Sequence, residues 1–126
     1  MSKMQRDKGK RIEREACKML CSLGFAARRR SQTDGTLDPD IVFDVHPDWY
    51  CEVKGVRDVL PHHQTAQQWV EKAIEDAAEA RCYTPFVLMK IHGTGTWAMG
   101  WFDDNLEIVV WTVGVSRIVR MLRRWA

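Results

Sequence analysis

No apolar run in this chain is long enough to cross a bilayer, and no stretch carries the charged, apolar and small-residue succession of a secretory signal. The expectation is a cytoplasmic protein with no membrane partner. Cysteine is scarce and unpaired in pattern: Cys17, Cys21, Cys51 and Cys82 include no Cys-x-x-Cys motif. Cys17 and Cys21 are four apart on a helix, but no second ligand pair at suitable spacing follows, which argues against a structural zinc site and leaves reduced thiols. Internal repeats and low-complexity segments are also missing, so solenoids and disordered linkers are excluded. The net charge is only +2, too little to make the whole molecule a polycation.

What is present is an uneven distribution of that charge. Residues 1–31 hold ten Lys or Arg against Asp7, Glu13 and Glu15. Residues 32–79 reverse the balance, with eleven acids against Lys54, Arg57 and Lys72. Arg117, Arg120, Arg123 and Arg124 crowd the last ten residues. Basic ends around an acidic centre suit a polyanionic partner held over a metal-binding middle. The plainer alternative is a pair of solvated helical faces. With 126 residues, 45% of them apolar and 29% charged, the chain makes one globular domain with a core of its own.

Hydrophobic periodicity gives the order of elements. Residues 1–8 are polar and expected to fray. Ile12, Ala16, Met19, Leu20 and Leu23 recur at helical spacing over residues 9–23, and Gly24 follows as a stop. Residues 25–30 read as a short strand or extended segment ending in three arginines, and residues 32–38 as a polar loop. Residues 41–45 and 49–53 read as two apolar strands joined by a turn at 44–48, and residues 55–63 as a connector. A second helix, from 64 or 65 to 81, is apolar along Ala66, Trp69, Val70, Ala73, Ile74, Ala77 and Ala80. Strands follow at 86–91 and 97–102, then a stretch at 106–112 that is a last strand or a linker. A final helix over 116–125 turns Ile118, Val119, Leu122 and Trp125 inward and arginines outward.

The chemistry concentrates between Asp40 and Lys54. A carboxylate begins one apolar strand. On the next strand Glu52 and Lys54 alternate onto one face, with Val53 on the other. If the strands pair as a hairpin, Asp40 reaches the same end as Glu52, and two carboxylates and an ammonium converge. Such a set suits a hard divalent cation and an activated water. Taken singly, Asp40 reads equally as the start of a strand or an Asx turn, and Glu52 and Lys54 as a same-face ion pair. Taken together they interrupt two strands that burial would otherwise keep apolar.

These residues resemble a known group. Lys8-Gly9-Lys10-Arg11-Ile12-Glu13-Arg14-Glu15, Gly24-Phe25, Arg30, Pro39-Asp40-Ile41 and Glu52-Val53-Lys54 are similar to the motifs of the PD-(D/E)xK nuclease superfamily. Within it they resemble the archaeal-type Holliday junction resolvases and their small phage relatives. The resemblance implies an α/β fold, a restriction-endonuclease-like αβββαβ core with a mixed central sheet flanked by helices, filling residues 1–126 as a single domain. It assigns Glu13, Asp40, Glu52 and Lys54 as the catalytic set. Asp40, Glu52 and the Val53 carbonyl would hold Mg²⁺, or Mn²⁺ in its place, with Glu13 as a further candidate ligand. Arg14 and Arg30 fall where relatives contact DNA phosphate, with Arg28 or Arg29 as alternatives to Arg30, and Lys8, Lys10 and Arg11 extend the basic surface. A site-facing glutamine on the second helix is implied, for which Gln64, Gln67 and Gln68 are all available. The activity implied is metal-dependent endonucleolytic cleavage of branched or four-way DNA by a homodimer, with the 106–113 stretch and the last helix as candidate dimer and DNA surfaces. The alternatives are a repair, nicking or restriction-like nuclease acting on duplex DNA, and a non-catalytic DNA-binding module. Trp69 and Trp97 are read as core residues, with stacking on unpaired bases as the other option.

Overall fold

The computed structural model describes residues 2–30, 38–57, 63–105 and 109–126. The elements are α1 (Lys3–Ser22), β1 (Arg28–Arg29), β2 (Ile41–Val42), β3 (Trp49–Val56), α2 (His63–Glu79), β4 (Thr84–Ile91), β5 (Thr96–Phe102), β6 (Val109–Val113) and α3 (Val115–Trp125). One six-stranded sheet runs in the order β1-β2-β3-β4-β5-β6. Every neighbouring pair is antiparallel except β3 and β4, which run parallel because α2 carries the chain across between them. The result is the mixed sheet, flanked by helices, that the sequence predicts.

Strand alternation splits the apolar residues into two cores. Cys51, Phe86, Leu88, Trp97 and Met99 lie on one face, where Ile12, Ala16 and Leu20 of α1 and Ile118 and Leu122 of α3 cover them. Val87, Met89, Ile91 and Ala98 lie on the other, beneath Val70 and Ala73 of α2. The middle of the sheet is therefore dry on both sides, and β3, the strand that carries Glu52 and Lys54, is fixed from above and below.

Boundaries differ from the sequence reading for local reasons. Helix α1 starts at Lys3, so residues 3–8 are helical rather than frayed. It stops where expected: Gly24 takes a φ of 94°, and the Phe25 N–H donates to the Leu20 carbonyl at 3.1 Å. Helix α2 stops at Glu79 rather than Arg81 because Arg81 itself takes the left-handed turn, at φ 60°, and the Cys82 N–H reaches back to the Ala77 carbonyl. Strand β2 is only two residues long, since Phe43 already accepts the His46 N–H in a turn. Strand β1 is likewise confined to Arg28 and Arg29. Three strands follow α2, and the 106–112 stretch contains a true strand from Val109; residues 106–108 lie outside the described residues. Among the described residues no helix is long and apolar enough to cross a membrane.

Candidate active site

The site begins with a fork in the sheet. Ile41 pairs with Cys51, and there β2 ends toward its N-terminus. Beyond that pair the Val53 N–H has lost its strand partner. The Asp40 carboxylate takes the place of the ladder, accepting the Val53 N–H at 3.0 Å. In a strand, N–H and C=O of one residue point to the same side, so the Val53 carbonyl faces the same opening as Asp40. Glu52 projects beside it toward α2.

Glu52 is held in a tight electrostatic setting. Burial, followed by a hydrogen bond and charge repulsion from Asp40, pushes its carboxyl up to about 8. The Tyr50 hydroxyl donates to Glu52 and Lys54 faces it, and both pull the other way. Tyr50 is on the same strand face two residues earlier and is nearly inaccessible, and burial and the Glu52 charge drive its own phenol well upward. Glu13 arrives from α1 on the opposite side of the fork. Its carboxyl is raised by burial first and by Asp40 second, against the opposing pull of Arg29. Asp40 thus raises the carboxyls of both Glu13 and Glu52.

The basic residues separate by strand and helix geometry. Arg29 Nε lies 3.4 Å from Glu13 Oε1 and faces the fork. Arg28, its strand neighbour, points away and pairs with Asp44 at 2.9 Å. Arg30 donates to the Asp38 carbonyl at 3.0 Å. Of the three consecutive arginines, Arg29 stands at ion-pair distance from Glu13, and the charge of Arg30 also acts on that carboxyl. Glu15 leans instead toward Lys90, at 3.9 Å, which separates it from the site and distinguishes it from Glu13. Lys8, Lys10, Arg11 and Arg14 are accessible along α1. Lys3, Lys8, Arg11 and Arg14 line one broad depression of about 830 Å³ together with Met4 and Asp7.

On the α2 side the sequence reading looked for a glutamine. Gln67 is spent on Glu71 at 3.1 Å, and Gln64 and Gln68 are exposed. A small cleft of about 50 Å³ beside Glu52 and Lys54 is lined by Trp69, Lys72, Ala73 and Asp76 instead. Lys54 Nζ sits 5.8 Å from the centre of the Trp69 ring, and Lys72 pairs with Asp76 at 3.4 Å. Tyr50 and Asp76 are neighbours of the site that sequence reasoning missed; Trp69, read as core with base stacking as the other option, packs against the core and also borders the site. Tyr50 was legible in principle, two residues from Glu52 on one strand face. Trp69 and Asp76, seven apart on a helix, carry no such signal until the helix is docked. Trp97 is buried in the sheet's other face under Lys90, as core.

The donor set fits a hard cation. Two oxygen-bearing side chains and a main-chain carbonyl converge on one opening, with no sulfur or imidazole among them. The carboxyl of Glu52 is raised first by burial and then by Asp40, more than the opposing pull of Tyr50 and Lys54 offsets. Among the described residues no group of three or more His, Cys, Asp or Glu side chains stands ready as a metal cluster, which leaves Glu13, tied to Arg29, outside the immediate pair.

No family model matches this chain, and no curated protein matches it. A solved structure does: Hjc, a Holliday junction resolvase from the archaeal hyperthermophile Archaeoglobus fulgidus. It is 27% identical, with a TM-score of 0.51, over 73% of this chain and 70% of that one. The structural likeness agrees with the resemblance carried by the Glu13 helix, Pro39-Asp40 and Glu52-Val53-Lys54, and the six-stranded mixed sheet with its three helices is consistent with that nuclease fold.

Proposed function

We propose that this chain is a metal-dependent, structure-selective DNA endonuclease that hydrolyses phosphodiester bonds at four-way or branched junctions. The observation that carries the reading is the fork: Asp40 bonded to the Val53 N–H, with Glu52 pressed against it and Lys54 on the same strand face. The likeness to a junction-resolving enzyme supports it.

The residues divide the work by position. Asp40, Glu52 and the Val53 carbonyl would hold Mg²⁺, or Mn²⁺ as its substitute, which when bound neutralises the phosphate and acidifies a water. Lys54 places a positive charge beside that opening, where negative charge grows on the phosphoryl oxygens. Glu13, kept in place by Arg29, orients water at the α1 side. The α1 cations Lys8, Lys10, Arg11 and Arg14 meet the backbone phosphates of the flanking arms. Cutting two opposed strands of a junction needs two sites related by a two-fold axis, so the working form is a homodimer.

A gel cleavage assay with Mg²⁺ tests this, comparing a synthetic four-way junction with linear duplex, nicked duplex and single strands. Paired nicks in the junction are expected, lost at least about 100-fold in Asp40→Asn while binding persists. Equal cutting of linear duplex would move the reading to a general or repair nuclease. Tight, salt-sensitive binding without cutting under Mg²⁺ or Mn²⁺ would make the chain a non-catalytic DNA-binding module.

A further inference from the structure

Lys54 is the one member of the fork with no protein carboxylate at ion-pair distance among the described residues. It is accessible and carries a flexible four-carbon stem, so on its own it would sweep a wide volume. Asp76 of α2, which lines the same cleft, is already paired with Lys72 at 3.4 Å. What meets Lys54 instead is the face of Trp69, 5.8 Å from Nζ to ring centre, within the range where an ammonium is attracted to an indole. Trp69 is itself immobilised. It is partly buried and packs against the core formed by Val70, Ala73, Val87 and Met89. The indole therefore forms a fixed wall of the cleft that also contains Glu52, and it offers Lys54 a resting place that does not neutralise its charge. A carboxylate in the place of the ring would add to the pull of Glu52 on the ammonium; an aromatic face does not.

We infer that Trp69 is a positioning residue: its ring holds the Lys54 ammonium at the mouth of the cleft, pre-aimed at the scissile phosphate. The inference rests on the nuclease reading for its consequence, but the placement has a readout that needs no activity. Lys54 side-chain methylene protons lying against an indole are shifted upfield by its ring current. In the full-length protein that displacement should be present in the wild type, reduced in Trp69→Phe and absent in Trp69→Met, which keeps apolar bulk without an aromatic face. Single-turnover cleavage of a four-way junction should fall about 3-fold to 5-fold in Trp69→Met and less in Trp69→Phe, with junction affinity unchanged. Random-coil Lys54 shifts in the wild type would overturn the inference. So would a Trp69→Met enzyme that cuts at the wild-type rate, or one that loses affinity and rate together while Trp69→Phe does the same. A wild type that cuts nothing would refute the nuclease reading alone, because the ring-current measurement still decides where Lys54 rests.

Discussion

Removing the charge from Glu52 should make the cation-free protein more stable at pH 8. Its carboxyl titrates at about 8 in the folded chain, against an ordinary value of 4.5. Between those values the folded state holds a proton that the unfolded state has released, so stability falls as pH rises through that window and is recovered as pH drops toward 4.5. Each pH unit contributes roughly 1.4 kcal/mol, which gives a gross limit of about 5 kcal/mol. Relaxation and water penetration at a partly open cleft reduce this to about 2–3 kcal/mol. Glu52→Gln abolishes the titration while keeping the shape and an acceptor for Tyr50. Urea denaturation with a chelator present, from pH 4.5 to 8.5, should show the two proteins diverging as pH rises, with the variant ahead by that amount at the top. For a chain of this size, the difference corresponds to roughly 10 °C in Tm. Adding Mg²⁺ at pH 8 should close that gap, since only the wild type gains binding energy: about 2.7 kcal/mol at a hundredfold excess over the dissociation constant brings the two proteins level, and about 4.1 kcal/mol at a thousandfold excess puts the wild type ahead. Parallel pH profiles for the two proteins would refute the claim that Asp40 and burial crowd Glu52.

Three other outcomes follow from particular contacts. Gly55→Ala would place a Cβ 2.7 Å from Ile12 Cδ1 and 3.0 Å from His92 Nε2, so a loss of about 1–2 kcal/mol is expected in urea melts, partly restored by adding Ile12→Val. Arg29→Ala should destabilise by about 1 kcal/mol at pH 7 and by less at pH 4, because Arg29 favours the ionised form of Glu13 more than Arg30 does; equal losses at both pH values would show that packing, not charge, is at stake. Replacing Arg11 and Arg14 with Gln should weaken junction binding and flatten its dependence on salt by about two counterions' worth, measured by fluorescence anisotropy at several ionic strengths.

The sequence disclosed the fold wherever a pattern was local. Helical spacing in Ile12, Ala16 and Leu20 and strand alternation in Glu52-Val53-Lys54 needed no knowledge of partners, and both elements stand where the pattern puts them. The ends of elements were less legible. Nothing in Arg81 announces a left-handed residue, and nothing in Val42-Phe43-Asp44 announces a two-residue strand, because those limits are set by the turn that returns the chain to β3. The site divides along the same line. The meeting of Asp40 with Glu52 followed from a hairpin and could be foreseen. Arg29 could not be chosen over Arg28 and Arg30 until the register of β1 against β2 was known. Trp69 became visible only with α2 docked on the sheet, since the sequence draws attention to the glutamines beside it.

The bond from the Val53 N–H to Asp40 bears on how relatives of this chain should be judged. Asp40 has two duties, one as a prospective metal ligand and one as the stitch that closes a gap between β2 and β3. A descendant that had given up catalysis would still need the stitch, so an aspartate at this position says little about whether a given homologue cuts DNA. Glu52 is the opposite case. It is half-buried against a like charge and burdens the cation-free fold, so on the proposed function drift should discard it soon after cleavage is lost. If the proposed function holds, the glutamate is the better marker of a working enzyme among divergent sequences of this architecture.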